Sequence, residues 1–207
     1  MEIDILCTTV SRWKENSYLL KFQNEAWLID PGDEFEKLDN NFVTADLKIN
    51  GIINTHGHFD HVGAVSEFKN KYDIPFFIHE KDKQILRQAN LYKKLAGSKE
   101  YFEIPDIESF IEKNSTFELY DKIIQTHYTP GHTNGSVSFE IDNYLFTGDL
   151  LFKGVIGRVD LPGGNIELLK QSINFVLENF KGYIVYPGHG ESFLLDESVI
   201  RILKKLI

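Results

Sequence analysis

Residues 54–61 read Asn54-Thr55-His56-Gly57-His58-Phe59-Asp60-His61, so three of the chain's seven histidines fall within one short stretch. The stretch follows an apolar run ending in Ile52-Ile53 that reads as a β-strand. In an extended segment residues two apart point the same way, so His56 and His58 share a face. Asp60 and His61 then stand at the turn into a helix. Taken alone, Asp60 reads equally well as the N-cap of a helix beginning near His61.

The same arrangement recurs along the chain. The strand at 122–128 ends in Thr129-Pro130-Gly131-His132, the strand at 143–147 in Gly148-Asp149, and Tyr183–Tyr186 in Pro187-Gly188-His189-Gly190. Proline stops a ladder, and glycine permits the sharp or left-handed backbone that turns the next side chain inward. Chemistry in open α/β sheets collects outside the carboxyl ends of strands. Five His and two Asp at four such ends are therefore expected along one edge of a sheet, as metal ligands rather than as isolated turn residues. The other two histidines, His79 and His127, are expected to be structural or supporting.

Around these ends, strands are expected at about 3–9, 17–22 and 26–30, with Pro31-Gly32 as a stop. Helical spacing covers 61–72, 80–95, 165–180 and 196–206. In the third of these, Ile166, Leu169, Ile173, Val176, Leu177 and Phe180 form one stripe, as a helix packed on a sheet requires. Alternation of strands and helices gives an α/β class with layered packing. Residues 96–115 break the rhythm and are expected to form a surface excursion, with Tyr101 and Phe102 as a lip over the site.

The chain's 207 residues fit one domain, 1–207, since no Pro/Ser-rich linker or charge block divides it. Charged residues at 26% and hydrophobic ones at 42% are ordinary globular usage and exclude a disordered or fibrous chain. A formal charge of −9 argues against nucleic acid or an anionic membrane as partner, because both need a basic face. Cys7 is the only cysteine, so no intrachain disulfide can form. No apolar run approaches the ~20 residues of a membrane span. The opening Met1-Glu2-Ile3-Asp4 lacks the basic start of a signal peptide, and a cytoplasmic location is expected.

Together these residues resemble the signature of the metallo-β-lactamase superfamily: His-x-His-x-Asp-His, a distant His, an Asp and a last His. The positions here are His56, His58, Asp60, His61, His132, Asp149 and His189. The chain resembles in particular the small glyoxalase II-like hydrolases, through Thr129-Pro130-Gly131-His132-Thr133, Thr147-Gly148-Asp149-Leu150-Leu151-Phe152, Gly157-Arg158-Val159-Asp160 and Pro187-Gly188-His189-Gly190. The resemblance implies a four-layer αββα sandwich, with two mixed sheets face to face, helices outside and the metals at one edge. It also implies two divalent ions. His56, His58 and His132 would hold the first, Asp60, His61 and His189 the second, and Asp149 would bridge. A set of imidazoles and carboxylates without thiolate suits zinc first, with iron or manganese admitted.

By the same resemblance the activity is hydrolysis of the hydroxyacylglutathione hydrolase type. A hydroxide held between the ions attacks a thioester or ester carbonyl, and Asp60 is the catalytic residue that orients it and takes its proton. A departing thiolate, with a conjugate-acid pKa of about 8.5, needs no strong general acid, which favours thioesters over amides. Arg158 and Lys153 are the substrate-binding candidates, and the substrate is expected to be a small anionic thioester. Two other readings stand beside this one. Mononuclear iron persulfide dioxygenases share the signature and the Gly-Arg-x-Asp loop, and a metal-stabilised binding module without turnover would keep the same ligands.

Overall fold

Three short strands start the first sheet, the first largely exposed and the next two buried on both faces. In the computed structural model, which describes residues 2–207, β1 (Asp4–Val10), β2 (Glu15–Phe22) and β3 (Glu25–Ile29) form an antiparallel meander. Helix α1 (Phe35–Phe42) leads to β4 (Lys48–Ile53), which lies parallel to β3. Helices α2 (Phe59–Val62) and α3 (Val65–Tyr72) lead to β5 (Phe76–His79). A 3₁₀ turn at Glu80–Asp82, α4 (Lys83–Arg87) and α5 (Ala89–Leu95) precede β6 (Ser109–Ile111). Both β5 and β6 add in parallel, giving the order β1-β2-β3-β4-β5-β6.

The second sheet uses the rest of the chain: β7 (Thr116–Leu119), β8 (Lys122–Tyr128), β9 (Val137–Ile141) and β10 (Tyr144–Gly148) form an antiparallel run. After a small hairpin of β11 (Leu151–Phe152) and β12 (Val155–Ile156), helix α6 (Ile166–Asn179) returns the chain to β13 (Ile184–Pro187), parallel to β10. The short β14 (Phe193–Leu194) and α7 (Glu197–Leu203) follow, and the sheet order is β14-β13-β10-β9-β8-β7.

Side-chain alternation builds three cores from these two sheets. Neighbouring residues of β2 and β3 divide between them: Leu19 and Leu28 pack outward with Leu38 and Phe68 of the helices, whereas Leu20, Trp27 and Ile29 pack inward. The inner faces meet in a cluster that includes Phe117, Ile124, Phe139 and Phe146. Leu145 and Val185, on the outer face of the second sheet, pack against Leu169, Ile173 and Val176 of α6 and Val199 of α7. The result is helix, sheet, sheet, helix, the four-layer αββα sandwich that the resemblance implies. Phe139 has no exposed surface in the middle layer. Phe139→Ala is expected to cost about 3–5 kcal/mol, read from urea denaturation, because both sheets must close on the cavity.

Several element boundaries differ from the expected ones for identifiable reasons. The helix expected at 61–72 is broken in two at Gly63, whose N–H donates to Gly32 O at 2.8 Å, with Ala64 N–H donating to Pro31 O. The segment 80–95 divides into the 3₁₀ turn, α4 and α5. Helix α1 carries a signal that periodicity offers, Phe35, Leu38 and Phe42 on one face, although no helix was expected there. Lys37 and Asn41 of α1 reach the open edge of β1 through Thr9 O and Thr8 Oγ1, occupying part of a ladder that could otherwise pair with another chain. Among the described residues, no helix is long and apolar enough to cross a membrane.

Candidate metal centre

Four loops meet at one edge of the sandwich, and they come from both sheets. The segment 54–61 follows β4 of the first sheet, whereas His132, Asp149 and His189 follow β8, β10 and β13 of the second. The single sheet edge expected from the sequence is thus corrected to the shared edge of two sheets. Backbone contacts fasten that edge: Asn16 N–H of β2 donates to Gly188 O at 2.8 Å, and Glu15 bridges to His189. The helix at Asp60 begins at Phe59, with His58 in the cap position, so Asp60 is freed from the capping role it could have had.

Two groups of potential ligand atoms lie around Asp149, beside a third set formed by Asp30, His56 and His61. His56 Nε2 and His132 Nε2 stand 3.1 and 2.9 Å from His58 Nδ1. Atoms of Asp60, His61 and His189 lie within 4.8 Å of one another, and Asp60 Oδ2 is 3.5 Å from His189 Nε2. Asp149 lies between the groups, with Oδ1 3.5 Å from His61 Nε2 and Oδ2 3.5 Å from His132 Nε2 and 3.6 Å from His189 Nε2. The histidines of the first group are buried, while Asp60, Asp149 and His189 retain some exposure, which leaves the second group open to solvent.

Anchoring of the rings fixes which nitrogen faces inward. His132 Nδ1 donates to Arg158 O at 2.9 Å and His189 Nδ1 to Lys14 O at 3.1 Å; a carbonyl only accepts, so each Nδ1 carries a proton and each Nε2 is turned toward the acidic side chains of the site. His61 Nδ1 donates to Asp30 Oδ2 at 3.0 Å. Thr55 Oγ1 donates to Asp30 Oδ2 at 2.6 Å, so it accepts from His56 Nδ1. His56 Nε2 and His132 Nε2 both approach His58 Nδ1, and a single proton there cannot serve both well, whereas one cation among the three nitrogens can. In addition, His61 Nε2 and Asp149 Oδ1 are buried without a hydrogen-bond partner. Orphaned donor-set atoms of this kind, all nitrogen and carboxylate oxygen, fit a divalent metal ion.

Charge follows the same division. Burial, and then the neighbouring imidazoles, hold His56 well below the usual histidine range and push His58 down to about 3, so both imidazoles are held neutral. Burial also opposes charge on His61 and His189. For His61 it is outweighed by Asp149 and Asp30, for His189 by the hydrogen bond with Asp60 and the charge of Asp149, and both sit above the usual range. Burial would raise Asp60, but the hydrogen bond with His189 and the nearby imidazoles hold it well below the ordinary carboxylate value.

Several supporting residues escaped the sequence reading. Asp30 accepts from His61 and from both Thr55 N–H and Thr55 Oγ1, tying both ends of the 54–61 segment to the end of β3. Its signal was present, since Asp30-Pro31-Gly32 is a third strand followed by Pro-Gly, read only as a stop. Glu15 is fully buried 3.9 Å from His61 Nδ1, and burial drives its carboxyl well up; nothing in the strand pattern marks it. Asp82 is equally buried and holds Gly57, Thr133 and Gly135.

The outer candidates lie in surface ion pairs. Arg158 makes two 2.7 Å hydrogen bonds to Asp160, and Lys153 pairs with Glu191 at 2.8 Å, all on the surface. Phe102, expected in a lip, packs into the core beneath the first sheet, with Asn90 bonded to both its N–H and its carbonyl. The segment flanking the site is instead the β1–β2 turn: Trp13 packs against Phe59 at 4.8 Å, and Lys14 O holds His189. His79 stacks on Tyr128 and His127 bonds Glu140, as structural residues would.

An αββα sandwich carrying a His/Asp metal centre at its shared sheet edge defines a class of metallo-hydrolase-like proteins. The family model for the metallo-beta-lactamase superfamily matches residues 10–189, and the chain belongs to that superfamily. It is 35% identical over 188 residues to the probable metallo-hydrolase YqgX of Bacillus subtilis, covering 88% of each chain. To the hydroxyacylglutathione hydrolase GloC of Haemophilus influenzae it is 32% identical over 201 residues, covering 92% of this chain and 91% of that one. Among solved structures, TTHA1623 in a di-iron-bound form superposes with a TM-score of 0.83 at 35% identity, covering 92% and 94% of the two chains.

Proposed function

We propose that the protein is a binuclear metal-dependent hydrolase of thioesters or related small esters. The observation that carries the reading is the placement of Asp149 between two complete ligand groups, with its Oδ1 and His61 Nε2 both orphaned. His56, His58 and His132 would hold one ion, Asp60, His61 and His189 the other, and Asp149 both; zinc suits the donors, with iron or manganese as the other candidates. When bound, divalent ions polarise a carbonyl oxygen and bring the pKa of water down from 15.7 to about 7.

The chain's own residues supply the rest. Asp60 stays ionised, and while its Oδ2 faces His189 its other oxygen can orient a water and accept its proton. Asp30, Arg158 O and Lys14 O hold the rings of His61, His132 and His189 in one tautomer, so the geometry is set before substrate arrives. An anionic thioester would have to compete with Asp160 for Arg158 and with Glu191 for Lys153, and exposed pairs of this kind are weak enough to exchange. Similarity to GloC supports a hydroxyacylglutathione as the first substrate to assay.

The test is metal quantification on protein purified without added metal, assayed in parallel with S-lactoylglutathione, a generic thioester, and oxygen uptake on a persulfide. Two metals per chain with thioester turnover is the expected result. A single iron with oxygen uptake would replace hydrolysis by persulfide oxidation, and bound metal without any turnover would mark a binding module.

A further inference from the structure

Asp82 ends the 3₁₀ turn after β5, and its side chain has no exposed surface. A carboxylate buried this completely is costly unless its oxygens are filled. Three donors fill them. Oδ2 accepts from Gly57 N–H at 2.9 Å and from Thr133 Oγ1 at 2.7 Å, and Oδ1 accepts from Gly135 N–H at 2.7 Å. Ser136 Oγ completes the cluster, accepting from Thr133 N–H and lying 2.8 Å from Thr133 Oγ1.

The identity of the donors is what gives the cluster meaning. Gly57 is the residue between His56 and His58, and Thr133 is the residue after His132. One carboxylate therefore grips the loop carrying His56 and His58 and the loop carrying His132, although the loops come from different sheets. The backbone passes close enough that a Cβ on Gly135 would stand 2.5 Å from Asp82 Oδ1. Among the described residues Asp82 makes no hydrogen bond to Asp60, His61 or His189, whose rings are anchored by Asp30 and Lys14.

We propose that Asp82 is a positioning residue for the three-histidine position alone, fixing the spacing of His56, His58 and His132 by holding their two loops together. The inference rests on the metal-binding reading above. It predicts that Asp82 bears on the three-histidine position alone, whereas Asp30 reaches both, His61 directly and His56 through Thr55, so that the first position can be weakened without the second.

Zinc titration of the full-length protein, followed by the ¹⁵N resonances of the histidine rings, reads each imidazole on its own. In Asp82→Asn an amide N–H₂ faces at least one of the three donors. The rings of His56, His58 and His132 are then expected to need ~10–100-fold more zinc, while His61 and His189 respond as in the wild type. Unchanged zinc dependence, or an equal loss at all five rings, overturns the inference. Should Asp82→Asn fail to fold, Thr133→Val and Thr133→Ser carry the same comparison, since valine removes one donor and serine retains it. A shift of the three rings in the valine variant, rescued by serine, supports the proposal, and identical behaviour of the two overturns it. Wild-type rings that ignore zinc overturn the metal reading and this inference with it; a wild-type response unaltered by the variants overturns the inference alone.

Discussion

Replacing Asp149 by Ala is expected to strip metal from both positions and to lower turnover by roughly three orders of magnitude, or about 4 kcal/mol of barrier. The size follows from where the carboxylate stands. Its two oxygens approach His61, His132 and His189, members of both ligand groups, so one truncation takes a ligand from each. It also leaves His61 Nε2, already without a hydrogen-bond partner, facing a cavity. Fold should survive, because Asp149 is partly exposed in a loop after β10 and belongs to none of the three apolar cores. Elemental analysis, thioester turnover and circular dichroism on the same preparation separate these effects. Asp142→Asn, which removes the charge of a surface pair with Lys122 and still tolerates the left-handed backbone there, is the control. Two metals retained with full activity would remove Asp149 from the centre.

Why so much of this centre could be read from the chain, and the remainder could not, follows from how each residue is specified. The seven ligand candidates sit in the segments that follow four strands, and at His132, Asp149 and His189 an apolar run stops at Pro or Gly before a polar side chain turns in; that is a local pattern. Helix α6 was legible for the same reason, since its stripe of Leu169, Ile173 and Val176 needs only a sheet to pack on. Asp82 and Glu15 are different. Each is polar inside an otherwise unremarked segment, and its role exists only once β5 or β2 lies against a loop from the other sheet. The same holds for the break at Gly63, which is set by the carbonyls of Pro31 and Gly32 half a sheet away, and for Phe102, whose apolar ring was free in the sequence to be a lip and in the fold is core. Contacts between distant segments carry no periodicity, so only the sheet pairing discloses them.

Gly188 and Gly190 flank His189 and offer a second large effect, because they test close packing against backbone strain in adjacent positions. Gly188 receives no credit from conformation: its φ lies outside the left-handed region that favours glycine. Its constraint is space. A Cβ there would stand 2.4 Å from Asp149 Oδ1 and 2.7 Å from His61 Cε1, while the backbone is held by Gly148 O and by Asn16 N–H and has no room to withdraw. Gly188→Ala must therefore move the bridging carboxylate or the His61 ring, and a ligand displaced by a few tenths of an ångström no longer closes the site. Metal affinity is expected to fall by ~100-fold or more. Gly190 is the opposite case, with φ +80 and nothing within 4 Å of an added Cβ. Gly190→Ala should cost about 1–2 kcal/mol of stability from left-handed strain, yet bind metal as the wild type does. Zinc titration against a competing chelator and thermal denaturation of the two variants give both numbers. Wild-type affinity in Gly188→Ala would mean that Asp149 and His61 are not held where the ligand groups require them, and the centre would need another bridging group.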